Sequence, residues 1–165
     1  MARLPLPVLE SIEFYKRHDP YTYHHILLVF ALSSHLARNL LDNFEEILQE
    51  AAAGSFHDFG KICVPLEILT KKTPLRKSER KALEHHTLAG FLLLSYYLKD
   101  PGILAAVVAR DHHERLDGSG YPGGSPSPPV SWRSWRRATC TTPSSPPGRT
   151  GSPATTTGRL SRSLP

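Results

Sequence analysis

The segment His112-His113-Glu114-Arg115-Leu116-Asp117-Gly118-Ser119-Gly120-Tyr121-Pro122 does most to narrow what this chain can become. Two adjacent imidazoles run directly into a carboxylate-bearing glycine turn, and such a turn stops a helix. Upstream, His57-Asp58-Phe59-Gly60-Lys61 places an imidazole, a carboxylate and an ammonium within five residues. All nine histidines lie in residues 1–123. Imidazole and carboxylate donors without thiolate suit Fe, Mn, Ni or Zn rather than Ca. The candidate ligands are His25, His57, Asp58, His86, His112 and His113. Asp58 is the natural bridge, because its two oxygens can each take one ion. A lone helical histidine is usually a surface side chain, and that is the expectation for His18, His24, His35 and His85.

The body of the chain is expected to be all-α. Ile26, Val29, Phe30, Leu36 and Leu40 recur at helical spacing within His24 to Leu41. Asp42 with Glu45 three residues on resembles a capping box for a helix from Phe44 to Ala53. Gly54 and Ser55 then lead into the His-Asp segment. Pro65 to Pro74 forms a connector with a short turn. Ser78 is expected to cap a long helix through Leu98, with Glu79 favourably placed in its first turn. Pro101 opens a final helix from Ile103 to about His113. No strand-like alternation or internal repeat is present.

Charge divides the chain sharply. Residues 1–123 hold 14 Lys and Arg against 15 Asp and Glu, whereas residues 124–165 hold six Arg and no Lys, His, Asp or Glu. The formal net charge of +5 therefore comes from the last 42 residues. A basic balance ordinarily suggests nucleic acid. Here the body is near neutral and the tail lacks interleaved Lys and aromatics, so no nucleic-acid polymer is expected as a partner. Cys63 and Cys140 form no thiolate motif, which fits a reducing compartment. No apolar run reaches about eighteen residues, so no membrane segment is expected. The N-terminus resembles no secretory signal, and the expected location is cytoplasmic.

Taken together, these motifs resemble the HD-GYP family, HD-superfamily metal-dependent phosphodiesterases that degrade cyclic di-GMP. The resemblance runs from about Ile12 to Gly123. His18-Asp19-Pro20-Tyr21-Thr22-Tyr23-His24-His25 is similar to the family's opening segment, whose last histidine ligates metal, which assigns that role to His25. His57 and Asp58 match the paired ligands that name the superfamily, and Lys61 the lysine that contacts a substrate phosphate. His86 fits the next ligand, and His112 with His113 the adjacent pair. The resemblance implies an HD-type helical bundle and two divalent ions, Fe or Mn first among them. Such ions activate a water and clamp the phosphate. It also implies hydrolysis of cyclic di-GMP to a linear dinucleotide or GMP. Asp117, Gly118, Gly120, Tyr121 and Pro122 would shape the substrate edge or dock diguanylate cyclase (GGDEF) domains. Two alternatives are a phosphohydrolase for another nucleotide such as cyclic GMP-AMP, and a non-catalytic signalling interaction module.

Two departures qualify that expectation. Tyr21 stands where some members have a glutamate recruiting a third metal, which favours two. Thr139 stands where the family's last aspartate ligand belongs, and a hydroxyl holds a dication poorly. From about Ser125 the sequence is rich in Pro, Ser, Thr, Gly and Arg, as expected of a disordered tail. Read one nucleotide earlier, the codons for Ala138 to Thr150 permit Gly-Asp-Val-Tyr-Asp-Ala-Leu-Val-Ser-Ala-Arg-Pro-Tyr, a family-like run. The expected organisation is therefore a C-terminally incomplete HD-GYP domain over residues 1–123. An out-of-frame tail over 124–165 would follow it, with impaired activity in the chain as written.

Overall fold

A computed structural model describes residues 6–115 and 117–124. These form seven helices and one 3-10 segment, with no strand among the described residues. The order is α1 (Leu6–His18), α2 (Pro20–Leu40), α3 (Phe44–Phe56), the 3-10 segment Phe59–Cys63, α4 (Leu66–Leu69), α5 (Lys77–Glu84), α6 (His86–Leu98) and α7 (Leu104–Asp111). Apart from Gly124, the expected tail, with Thr139 in it, lies outside the described residues.

Helix α2 packs on α1 and α3, α3 on α7, and α7 on α6, while α6 lies along the 3-10 segment. Val8, Val29, Ala53, Phe56, Phe59, Leu94, Val108 and Ala109 meet in the core. Val8, Val29 and Leu94 are wholly buried, each contributing roughly 1.5–3 kcal/mol. This packing brings the C-terminal ends of α3 and α7, the start of α6 and the first half of α2 toward one place.

Several boundaries differ from the sequence reading, each for a local reason. Helix α2 begins at Pro20 rather than His24. Asp19 caps it, accepting from Thr22 N at 3.3 Å and Thr22 Oγ1 at 2.6 Å, and proline suits the first helical position. Helix α3 is capped by Asn43, not Asp42, because Asn43 Oδ1 accepts from Glu45 N at 2.8 Å. It also runs through Gly54 and Ser55 to Phe56, so His57 is delivered directly by a helix end.

The long helix expected from Ser78 to Leu98 is two helices meeting at His85. Its start is set by Arg76, whose N–H donates to Glu79 Oε2 at 2.8 Å. At the join, the side chains of His86 and Thr87 bond to the carbonyls of Leu83 and Glu84, competing with the helical ladder there. Helix α7 is shorter than expected, ending at Asp111 with His112 as its C-cap. One glycine is dictated by close approach. A Cβ on Gly60 would overlap His86 O and Gly90 N and lie 2.9 Å from Gly90 Cα, so the 3-10 segment can lie against α6 only with glycine there.

Candidate metal centre

Five elements deliver the candidate ligands. His25 projects from the first half of α2, and His57 is the C-cap of α3. Asp58 precedes the 3-10 segment, His86 opens α6, and His112 follows α7. Asp58 and His86 are 2% and 1% exposed. A polar cluster so fully withdrawn from water needs internal compensation.

The cluster is organised around Asp58. Its Oδ2 lies 3.7 Å from His25 Nε2, 3.3 Å from His57 Nε2 and 2.7 Å from Lys61 Nζ. Its Oδ1 lies 3.4 Å from His86 Nε2 and 3.6 Å from His112 Nε2. Two ligand sets therefore share one carboxylate: His25, His57 and Asp58 on one side, and Asp58, His86, His112 and His113 on the other. Within the sets, His25 and His57 present Nε2 atoms 3.1 Å apart, and His86 and His112 present theirs 3.3 Å apart.

The backbone decides which imidazole nitrogens face inward. His57 Nδ1 is 2.9 Å from Gly54 O, His86 Nδ1 bonds Leu83 O, and His112 Nδ1 is 3.0 Å from Ala109 O. A carbonyl only accepts, so each Nδ1 carries the proton and each Nε2 turns a lone pair inward. That is the usual arrangement of a ligating histidine, oriented by its other nitrogen.

Charge reinforces this state. Burial, against the attraction of Asp58, pushes His25 from 6.5 to about 4. Burial likewise lowers His112 to about 4 and His113 well below its ordinary value. Burial alone would raise the Asp58 carboxyl, but the Lys61 ammonium and then His57 outweigh it and hold it well below the usual range. Near neutral pH the cluster thus offers an ionised carboxylate at Asp58 and neutral imidazoles at His25, His112 and His113.

Those donors fit a divalent cation. Asp58 Oδ1 is buried with no hydrogen-bond partner, an expensive state for a charged oxygen that a cation relieves. An all-helical body enclosing a thiolate-free His/Asp metal site defines a helical metalloprotein class. The HD domain family model matches residues 10–128. The chain belongs to that family, in its HD-GYP branch. It is 36% identical over 141 residues to the cyclic di-GMP phosphodiesterase PA4108 of Pseudomonas aeruginosa, covering 85% of this chain and 33% of that one. It is 35% identical over 119 residues to a cyclic di-GMP phosphodiesterase of Thermotoga maritima, covering 72% and 32%. It is 36% identical over 104 residues to 3'3'-cGAMP-specific phosphodiesterase 1 of Vibrio cholerae, covering 63% and 24%. The chain thus spans a third or less of these relatives' lengths.

Of the remaining singled-out residues, Tyr121 reaches the cluster and stacks on His113, with centroids 4.6 Å apart and planes at 22°. Asp117 does not. It is exposed, and its Oδ1 accepts from Ser119 N at 3.0 Å and Ser119 Oγ at 2.7 Å, shaping its own turn. His18, His24, His35 and His85 are exposed and belong to neither ligand set.

Two residues went unassigned in the sequence. Tyr15 is wholly buried, and its hydroxyl donates to Phe59 O at 2.9 Å, with Asp58 O at 3.3 Å, anchoring the His-Asp backbone from α1. Burial and then the Asp58 charge raise its pKa, which keeps the phenol a donor. Its spacing from Val8 and Ser11 was the available signal. Glu114, 4% exposed, is the second.

Proposed function

We propose that this chain carries a dinuclear centre, of Fe or Mn, for hydrolysing a phosphodiester bond of cyclic di-GMP. The observation that carries the reading is Asp58, with one imidazole set on each oxygen and Oδ1 unsatisfied. His25 and His57 would hold one ion and His86, His112 and His113 the other, with Asp58 between them. Bound divalent ions supply a nucleophile from water at neutral pH and neutralise phosphoryl charge. The phosphorus gains an oxygen from water and loses its bond to one ribose oxygen, which takes a proton, leaving a linear dinucleotide. Lys61 is assigned to a substrate phosphoryl oxygen, and its ammonium already stands at the cluster.

The Gly118–Pro122 loop, with Tyr121 against His113, is assigned to the substrate edge, with diguanylate cyclase domains as candidate partners. Similarity to relatives named for 3'3'-cGAMP supports a second reading in which that dinucleotide is the substrate. None of the described helices is long and apolar enough to cross a membrane, which is compatible with a cytoplasmic enzyme. We further propose that residues 1–123 form the domain and that residues 124–165 are read out of frame, so that Thr139 replaces a needed aspartate.

The test uses two proteins, the 165-residue chain and a chain restored by a single-base insertion or deletion near codons 124–131. Each is loaded with Mn or Fe and incubated separately with cyclic di-GMP and 3'3'-cGAMP. The expected result is bound metal in both, weak hydrolysis by the first and full hydrolysis of cyclic di-GMP by the second. Absence of bound metal from both proteins would overturn the reading, and preference for 3'3'-cGAMP would select the second substrate.

A further inference from the structure

Helix α7 and the turn after it end in a loop that folds back on them. Gly118 N donates to Arg115 O at 3.0 Å and Tyr121 N to His113 O at 3.4 Å. A Cβ on Gly120 would meet Glu114 Cα at 2.5 Å, so the loop lies hard against residues 114 and 115. The tie that closes it is a side chain. Glu114 Oε1 accepts from Gly123 N and, at 3.1 Å, from Gly124 N. Between these anchors, Tyr121 lies nearly parallel to His113 and edge-on to His86, with ring centres 6.4 Å apart.

We propose that Glu114 is a positioning residue. Its buried carboxylate clamps residues 123 and 124, holds the Tyr121 ring flat on His113, and so sets the direction in which His113 presents its nitrogens. Tyr121 meets the imidazole, whereas Glu114 acts only through the loop. A charge-assisted acceptor serving two backbone N–H groups is a strong tie, and misdirecting a ligand through its supporting residues typically costs 10- to 100-fold in metal affinity. The inference rests on the metal-centre reading for its consequence, but the clamp itself is a property of the metal-free chain.

The experiment follows the His113 ring protons by NMR in the full metal-free chain, where the stacked Tyr121 ring shifts them upfield. Tyr121→Leu gives the unstacked reference. Glu114→Leu is expected to move the His113 signals to that reference while those of His25 and His57 stay in place. Glu114→Asp, one methylene too short, is expected to do the same and carries the test if the leucine variant fails to fold. Glu114→Gln keeps an oxygen acceptor for both N–H groups and is expected to preserve the upfield shift. In a parallel titration, Mn affinity is expected to fall at least about tenfold in Glu114→Asp and to recover in Glu114→Gln. Unmoved His113 signals in Glu114→Asp, or equal displacement of all histidine signals, would overturn the proposal. Failure of the unsubstituted chain to bind Mn would overturn the metal reading alone, since the ring shifts still report the clamp.

Discussion

The two sides of Asp58 look alike in composition and differ in what they leave unmet. On the side built from α2 and α3, Oδ2 receives the Lys61 ammonium at 2.7 Å, and a backbone carbonyl fixes one imidazole, His57. On the side built from α6 and α7, Oδ1 has no hydrogen-bond partner, and backbone carbonyls fix His86 and His112 with lone pairs inward. One half of the cluster can be balanced by the protein's own cation, whereas the other is arranged for an added one. The difference teaches that a symmetric ligand list need not mean equal sites. If two ions bind as proposed, the α6/α7 side should take the first and the α2/α3 side the second.

The largest expected effect comes from deleting what the sides share. We predict that Asp58→Asn abolishes both of the proposed metal sites, with bound Mn falling below one equivalent in equilibrium dialysis. It also leaves Lys61 buried without its counter-charge, a loss on the order of 3–5 kcal/mol. Retention of either site at normal affinity would show that the carboxylate is not common to both.

Single-sided substitutions break the comparison more finely. His86→Ala should remove the tighter of two Mn binding steps, and His25→Ala only the weaker. The opposite assignment would mean that the unsatisfied Oδ1 does not decide which side fills first.

A smaller effect, shared by the two sides, is set by pH. His25 and His112 both fall from 6.5 to about 4 when buried. Between those values the unfolded chain binds protons that the folded chain refuses, so stability of the metal-free protein drops as pH is lowered through that window. Each imidazole contributes a loss of about 3 kcal/mol at most. His113, shifted in the same direction, adds to it. The depressed Asp58 carboxyl makes a contribution that is present above its ordinary value of 3.8 and lost below it. Denaturant titrations from pH 7 to 4 measure the imidazole sum, their extension below 3.8 adds the Asp58 loss, and histidine NMR separates the sides. A normal pKa at either residue would show that its side is open to water.

How legible all this was depended on the reach of each interaction. His57-Asp58 and His112-His113 were readable because neighbouring residues keep their spacing whatever the fold does. The helical periodicity of α2 was equally plain, yet Asp19-Pro20, a cap followed by a first-turn proline, marked its start and was passed over. The break at His85 was not readable, because His86 and Thr87 compete for carbonyls only once the cluster has drawn His86 inward. Tyr15 acts on the backbone of Asp58 and Phe59 from another helix, and Glu114 closes a loop nine residues away. Neither partner can be named from spacing alone. Gly60 looked like part of a signature, but its physical reason is the backbone of α6.

The smallest expected effect is the sharpest test of why the sides differ. Lys61→Met removes the ammonium from Asp58 Oδ2 and makes that oxygen resemble Oδ1. If Lys61 competes with a cation for the α2/α3 side, the second Mn should bind about tenfold more tightly, roughly 1.4 kcal/mol, with the first step unchanged. The metal-free protein should lose stability, because the carboxylate is then buried without its counter-charge, and Mn should restore it. If both binding steps instead weaken together, Lys61 holds Asp58 in place for the two sides alike. The inequality between the sides would then have to come from the imidazoles, of which the backbone fixes two on one side, His86 and His112, and one on the other, His57, and not from competition at Oδ2.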